Sequence, residues 1–443
     1  MPMSSLRRGR IRWAALAMLV LPVWTAAAQP PAGKPSEEQL WAQADARIEK
    51  HRKADAAVLV LDAAGKPVPG ANVAVEQTRH AFLFGCNIFR LDPQDESREQ
   101  KEYQRLFCDL LNYATLPFYW GSYEAEPGKT REARLRAMAS WCAEHGLRSK
   151  GHPLVWHEVY PAWADAQEAP ALKLQQKRTR QIVKDFRGLV DMWDVINESS
   201  VSHRFDNAIG KWAREVGAVK AAAEALRWAR SANRKAVLLV NDYNVSPEYE
   251  AQIEGLTAGD HKPDAIGIQT HMHTSERPLD QVWGICETYA RFGLPLHFTE
   301  LTVLSGHYIS PNVAWSGYRE ENWPSTPAGE EKQLRYLERF YTLLFSHPAV
   351  AAITCWDFAD GGWMNAPAGL VRRDMSPKPI YDRLKELIRR EWRTNVTLTT
   401  DAAGRAEVNA FYGRYVVTDT ESGMQVQAEH APKKRARVAV KPG

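Results

Sequence analysis

Val190-Asp191-Met192-Trp193-Asp194-Val195-Ile196-Asn197-Glu198 is a short apolar run that ends on an amide and a carboxylate. Such a run reads as a strand buried on both faces, the kind found in a parallel sheet. Seven more runs flank it: 82–87, 111–115 and 147–151 before it, then 236–240, 265–268, 294–299 and 350–355 after it. Intervening stretches such as 132–145, 172–186, 217–229, 279–291 and 330–344 carry apolar residues at helical spacing. Eight strand-then-helix units across 82–391 predict a TIM (β/α)8 barrel, of the α/β class. An open doubly wound sheet is the alternative, but no G-x-G-x-x-G follows the first run.

Alternating segments lie on both sides of the barrel. Residues 57–61 and 73–76, around the turn-rich Asp62-Ala63-Ala64-Gly65, read as a β-hairpin, and 395–399, 406–411 and 415–418 read the same way. The expected plan is a signal peptide at 1–28, a linker with a short helix at 29–54 and an N-terminal β element at 55–81. The catalytic barrel at 82–391 and a C-terminal β element with a basic tail at 392–443 complete it. The two small flanking β elements could pack together as one sandwich.

Residues 1–28 hold Arg7, Arg8, Arg10 and Arg12, an apolar run over 13–24 and the small exit Ala26-Ala27-Ala28. This predicts export to the periplasm or the medium, with an uncleaved anchor as the alternative. No later run reaches the roughly 20 residues of a membrane helix, so no membrane contact beyond export is expected. Those four arginines account for the whole excess of 57 bases over 53 acids in the 443 residues. A neutral body excludes nucleic acid as the main partner, because that binding rests on a basic footprint. The tail cations Lys433, Lys434, Arg435, Arg437 and Lys441 read as a solvated end. Five scattered cysteines without a C-x-x-C form neither a disulfide scaffold nor a zinc pattern.

In a TIM barrel the chemistry sits at the C-terminal ends of the strands. There the chain places His152 with Trp156-His157, Asn197-Glu198, Asn241-Asp242-Tyr243, Gln269 with His271 and His273, Glu300, and Trp356-Asp357. Strands four and seven face each other across the mouth, so Glu198 and Glu300 can flank a substrate. Paired carboxylates are the equipment of glycoside hydrolysis, one protonating the leaving oxygen and the other attacking or activating water. Position alone does not assign these roles, and a pair of salt-bridged structural glutamates is the competing reading. His271-Met272-His273 with Glu300 and His152 could instead hold a metal, although the first run, Phe82-Leu83-Phe84-Gly85-Cys86, lacks a ligand pair. Asn241-Asp242 could be catalytic or simple turn chemistry. The 16 tryptophans outnumber 15 tyrosines and 13 phenylalanines, and Trp156, Trp356 and Trp363 lie at or beyond strand ends, where flat rings can stack on sugars.

Gly151-His152-Pro153-Leu154-Val155-Trp156-His157, Trp193 to Glu198, Asn241-Asp242-Tyr243-Asn244, Gly267 to His271, Phe298-Thr299-Glu300-Leu301 and Trp356 to Asp360 together resemble glycoside hydrolase family 10, the endo-β-1,4-xylanases. The resemblance implies a TIM barrel, a retaining double displacement on xylan or xylo-oligosaccharides, and carboxyls about 5 to 5.5 Å apart. It implies Glu198 as acid/base, Glu300 as nucleophile, Asn197 on the sugar 2-hydroxyl and His271 orienting the nucleophile. His152, Trp156 and Trp356 would line the same subsite, and Asn241, Tyr243, Gln269 and Trp363 are further expected substrate contacts. It implies no metal and no organic cofactor; a monomer acting on a polysaccharide or oligosaccharide is expected.

The chain departs from the family after the second run. Members there carry Thr-Pro-Glu-Asn-Glu-Met-Lys-Trp, whose Glu, Asn and Lys bind sugar; this chain reads Leu116-Pro117-Phe118-Tyr119-Trp120-Gly121-Ser122, with Pro117, Phe118 and Gly121 at those three positions. Each lost bond to a buried hydroxyl forfeits about 1 kcal/mol or more. A decorated xylan, or another β-glycan or β-glycoside with an apolar part, becomes the alternative substrate, and a non-catalytic carbohydrate-binding barrel the alternative role. Thr302, where members often carry Asp, is a smaller departure.

Overall fold

The computed structural model describes residues 35–165, 171–313, 317–432 and 437–440. The expected signal at 1–28 and the tail residues Lys433, Lys434, Arg435 and Lys441 lie outside them. Among the described residues no helix is long and apolar enough to cross a membrane.

Strands β1 (Lys53–Val60) and β2 (Asn72–His80) precede the barrel. The barrel is built by β3 (Leu83–Asn87), β4 (Tyr113–Pro117), β5 (Arg148–His152), β6 (Met192–Asn197), β7 (Val237–Asp242), β8 (Ala265–Ile268), β10 (Leu296–Val303) and β11 (Val350–Cys355). A two-residue strand, β9 (His271–Met272), extends the edge of β10. Neighbouring barrel strands pair in parallel and β11 returns to β3, which closes the ring. Helices fill the crossovers, as the apolar spacing requires. In Arg98–Leu110 the Ser97 hydroxyl caps the first turn, and Tyr103, Leu106, Phe107 and Leu110 form one buried stripe. Pro327–Ser346 starts on a Thr326 cap with proline in its first turn.

The barrel interior is layered. Leu83, Tyr113, Met192, Leu239, Ala265 and Ala352 seal the end where the strands begin. Above them Lys150 and Asp194, both without exposed surface, form an ion pair at 2.6 Å. Gly151 has no side chain because the indole of Trp193 occupies the space a Cβ would need. The polar layer at the mouth rests on this packed base.

Most barrel strands run further than their apolar letters suggest. The second, third, fourth, fifth and seventh end on Pro117, His152, Asn197, Asp242 and Val303 rather than at 115, 151, 195, 240 and 299. Polar residues continue the ladder because buried partners satisfy them. Glu300 thus lies inside β10, where the two residues between Phe298 and Leu301 oppose the one between Ile353 and Cys355, a bulge that re-aims its side chain.

The expected hairpin between β1 and β2 is not formed. Its turn exists, with the Gly65 amide donating to the Asp62 carbonyl and Leu61 bridging Pro67, but the chain then leaves for another sheet. Pro67 and Pro69 have no amide to continue a ladder. The partners come from the far end of the chain: β12 (Asn395–Thr399), β13 (Arg405–Phe411), β14 (Gly413–Asp419), β15 (Gln425–His430) and β16 (Arg437–Val440). One sheet runs β13-β1-β16 and the other β12-β2-β14-β15. Val58, Val60, Val73, Val75, Ala406, Tyr415, Val417 and Val440 share one apolar core between them. His80 and Trp392 fix this unit to the barrel, His80 beside Phe84, Phe345 and Phe411, and Trp392 stacked on Phe345 at 4.4 Å.

Candidate active site

Glu198 follows β6 with φ of 54°, left-handed for a residue with a side chain, and its amide donates to the Asn241 carbonyl at 2.8 Å. This turn lifts its carboxyl above the strand ends. Oε1 accepts from Gln269 Nε2 at 3.0 Å and Asn197 Nδ2 at 3.1 Å, and Oε2 accepts from Trp156 Nε1 at 3.2 Å. Burial pushes this carboxyl up to about 8; Gln269 opposes the rise, while Glu300, Asp242 and Glu158 add to it. It is protonated at neutral pH.

Glu300 sits in a different environment. Oε1 accepts from Asn241 Nδ2 at 2.7 Å and Oε2 lies 3.1 Å from His271 Nε2. Burial alone would raise this carboxyl as well, but the nearby His152 and the bond from His271 outweigh it and hold Glu300 below the usual carboxylate range. The Lys150 ion pair holds Asp194, burial notwithstanding, below its ordinary value, and Asp194 Oδ2 anchors His152 Nδ1 at 2.8 Å. The other nitrogen of His152 then lies 3.9 Å from Glu300 Oε1.

The two carboxyls are joined by amides. Asn241 Nδ2 reaches Glu300 and also Asn197 Oδ1, at 2.7 Å each, and Asn197 in turn donates to Glu198. Thr299 Oγ1 donates to Asn241 Oδ1 at 2.6 Å and fixes which way that amide points. Gln269 contacts both Asn197 and Glu198. One carboxylic acid and one carboxylate, locked in register over a cleft, can deliver a proton and a nucleophile to the same bond.

The cleft has a volume of about 1110 Å³. His152, Trp156, Asn197, Glu198, Tyr243, Gln269, His271, Glu300, Trp356 and Trp363 line it, whereas Asn241 lies buried beneath and acts through its amide. Trp363 closes on His271 at 4.4 Å and Trp356 meets His152 edge-on at 5.2 Å. Asp242, the other half of the Asn-Asp pair, accepts from the amides of Ser200 and Asn244, which is turn chemistry. His271 and His273 stack at 5.7 Å. The metal-compatible group among the described residues lies elsewhere, in His157, Glu158 and Glu198, whose ligand atoms fall within 4.8 Å of one another. Burial keeps His157 neutral, down to about 3.

The second-strand segment is rebuilt rather than merely apolar. Phe118 turns into the core against Trp193 and Phe186, at 4.9 and 5.0 Å. Gly121 meets the loop after β5: its amide donates to the Val159 carbonyl at 2.6 Å, and a Cβ there would press on that same oxygen. Tyr119 fills the wall between His152 and Trp156, at 5.3 and 5.5 Å. Sequence reading passed over Tyr119, Glu158 and the Lys150–Asp194 pair. An aromatic in an apolar run gives no sign of which face it takes, but Lys150 and Asp194 did leave one: charges inside runs read as buried strands.

The profile described as Glycosyl hydrolase family 10 matches residues 79–387. The chain is 26% identical over 395 residues to the anti-sigma-I factor RsgI6 of Acetivibrio thermocellus, covering 86% of this chain but 47% of that protein. It is 29% identical over 287 residues to endo-1,4-beta-xylanase B of Thermotoga neapolitana, covering 61% of this chain and 78% of the relative. Xylanase 10B from Thermotoga petrophila, solved with xylobiose, superposes with a TM-score of 0.58 at 23% identity, over 70% of this chain and 95% of the other, a likeness of fold. With the family profile covering more than two thirds of its length, the chain belongs to glycosyl hydrolase family 10.

Proposed function

We propose that the protein cleaves β-1,4-xylosidic bonds in xylan or xylo-oligosaccharides by a retaining double displacement. The observation that carries this reading is the opposite protonation of two linked carboxyls, Glu198 raised to about 8 and Glu300 held low. In the first step Glu300 attacks the anomeric carbon while Glu198 gives its proton to the departing oxygen, so the glycosidic bond breaks as a glycosyl ester forms. In the second, ionised Glu198 takes a proton from water, whose oxygen displaces Glu300 and releases the sugar with its original configuration. Asn197 would read the 2-hydroxyl, and Trp156, Trp356, Trp363 and Tyr243 would hold the sugar faces. The xylanase named among the relatives supports the substrate class. Export through residues 1–28 would bring the enzyme to its polymer.

The test is product analysis on glucuronoarabinoxylan and on linear xylo-oligosaccharides, with Glu300→Ala as control. Xylo-oligosaccharide release by the parent alone is the expected result. A folded parent that cleaves neither removes the xylanase reading and leaves another β-glycoside or the carbohydrate-binding role.

A further inference from the structure

One end of the cleft carries charge that the two-carboxyl chemistry does not use. Arg131 and Arg134 line it from the start of the helix Glu132–Glu144, together with Arg90 from the loop after β3. The nearby acids are committed to other groups. Glu99 pairs with Arg90 at 3.1 Å, Glu132 with Arg136 at 2.7 Å and Glu126 with Lys129, while Glu124 takes the Trp120 indole and the Gly128 amide. Arg134 donates to the Phe89 carbonyl at 3.0 Å, and neither it nor Arg131 meets a carboxylate among the described residues.

The same lining includes the buried apolar side chains of Leu135 and Phe358. Asp357 also lines this part of the cleft. It is 4% exposed; Oδ1 accepts the Trp363 amide at 2.8 Å, and buried Oδ2 has no hydrogen-bond partner among the described residues. With Oδ2 below the surface, Asp357 is closed to a ligand, and the guanidinium groups are the polar part of this lining that a ligand can reach. Two guanidinium groups that meet no carboxylate among the described residues match a sugar substituent that bears one, with Arg supplying the fork geometry that carboxylates accept.

We propose that the cleft binds an acidic sugar substituent on the glycan, its carboxylate held by Arg131 and Arg134. The proposal rests on the glycan-hydrolase reading and names the kind of decoration that the protein selects. Neutral chains leave the arginines in water, where they contribute nothing; a uronic acid branch engages them.

The experiment is calorimetric binding of xylo-oligosaccharides with and without a glucuronic acid branch to the Glu300→Ala chain, alone and combined with Arg131→Gln or Arg131→Gln/Arg134→Gln. A preference of about fivefold or more for the acidic ligand is expected, the size of one or two Arg–carboxylate bonds at a half-open site. It should shrink in 0.5 M salt and vanish in the double variant, with neutral affinity unchanged. Arg131→Gln, which breaks no bond within the protein, should remove part of the preference and covers a fold lost with Arg134. Equal affinity for both ligands, a preference untouched by either variant, or no binding of either ligand overturns the proposal. Hydrolysis of neutral oligosaccharides by the parent chain, measured alongside, reports separately on the hydrolase reading.

Discussion

Glu198 combines a left-handed backbone with a buried carboxyl, and both have measurable consequences. The proposed first step needs its proton, so the alkaline limb of activity should fall near pH 8. Glu158 contributes to that position, and Glu158→Gln, by removing a nearby negative charge, should move the alkaline limb to lower pH in a kcat/KM profile. An unmoved limb would mean that Glu158 has no part in tuning the acid. The same carboxyl works against the fold. It ionises near 4.5 when unfolded and near 8 when folded, so between these values the folded state keeps a proton that the unfolded state has released. Stability therefore falls as pH rises across that window. Glu198→Gln should raise the melting temperature more at pH 8 than at pH 5, while lowering kcat/KM about 10²–10⁴-fold on substrates with poor leaving groups. Thermal scans at the two pH values check the first effect, and aryl glycosides of graded leaving-group acidity check the second.

Elements rather than single residues hold the rebuilt cleft wall. The helix Trp120–Tyr123 presses on the loop after β5 through Gly121, so Gly121→Ala should force Val159 away and cost about 1–3 kcal/mol as an overpacked contact. The expected signature is a lower denaturation midpoint together with a raised KM, because Tyr119 rides on the same segment; a change in neither would show that the loop simply gives way. At this scale the sequence was read well where apolar letters mark the strand and poorly where buried polar residues prolong it. All eight barrel strands were legible, and Glu198 and Glu300 lie where the strand-end rule sent the search. The bulge in β10 was not, because the extra residue between Phe298 and Leu301 shows only against its partner strand. Nor was the inward turn of Phe118, decided by room beside Trp193 that Gly151 leaves open.

Across the whole molecule, the flanking sandwich ties the two ends together. β2 is paired on both sides by β12 and β14, and β1 by β13 and β16, so the N-terminal strands have no partner of their own. The local turn at Asp62 to Gly65 suggested otherwise, because a sequence displays nearby turns and conceals partners over 300 residues away. Truncation after residue 394 should leave β1 and β2 as open apolar edges, and sedimentation should find that chain associated rather than monomeric. A monodisperse truncated chain would mean that the barrel covers those edges unaided. The strand order also has a consequence in time. β12 to β16 supply every strand partner of β1 and β2, so during synthesis those two strands wait until the barrel segment has emerged. Such distant pairing makes for slow closure. The sandwich is thus the part of the fold that closes late, whereas the barrel strands find their partners among themselves.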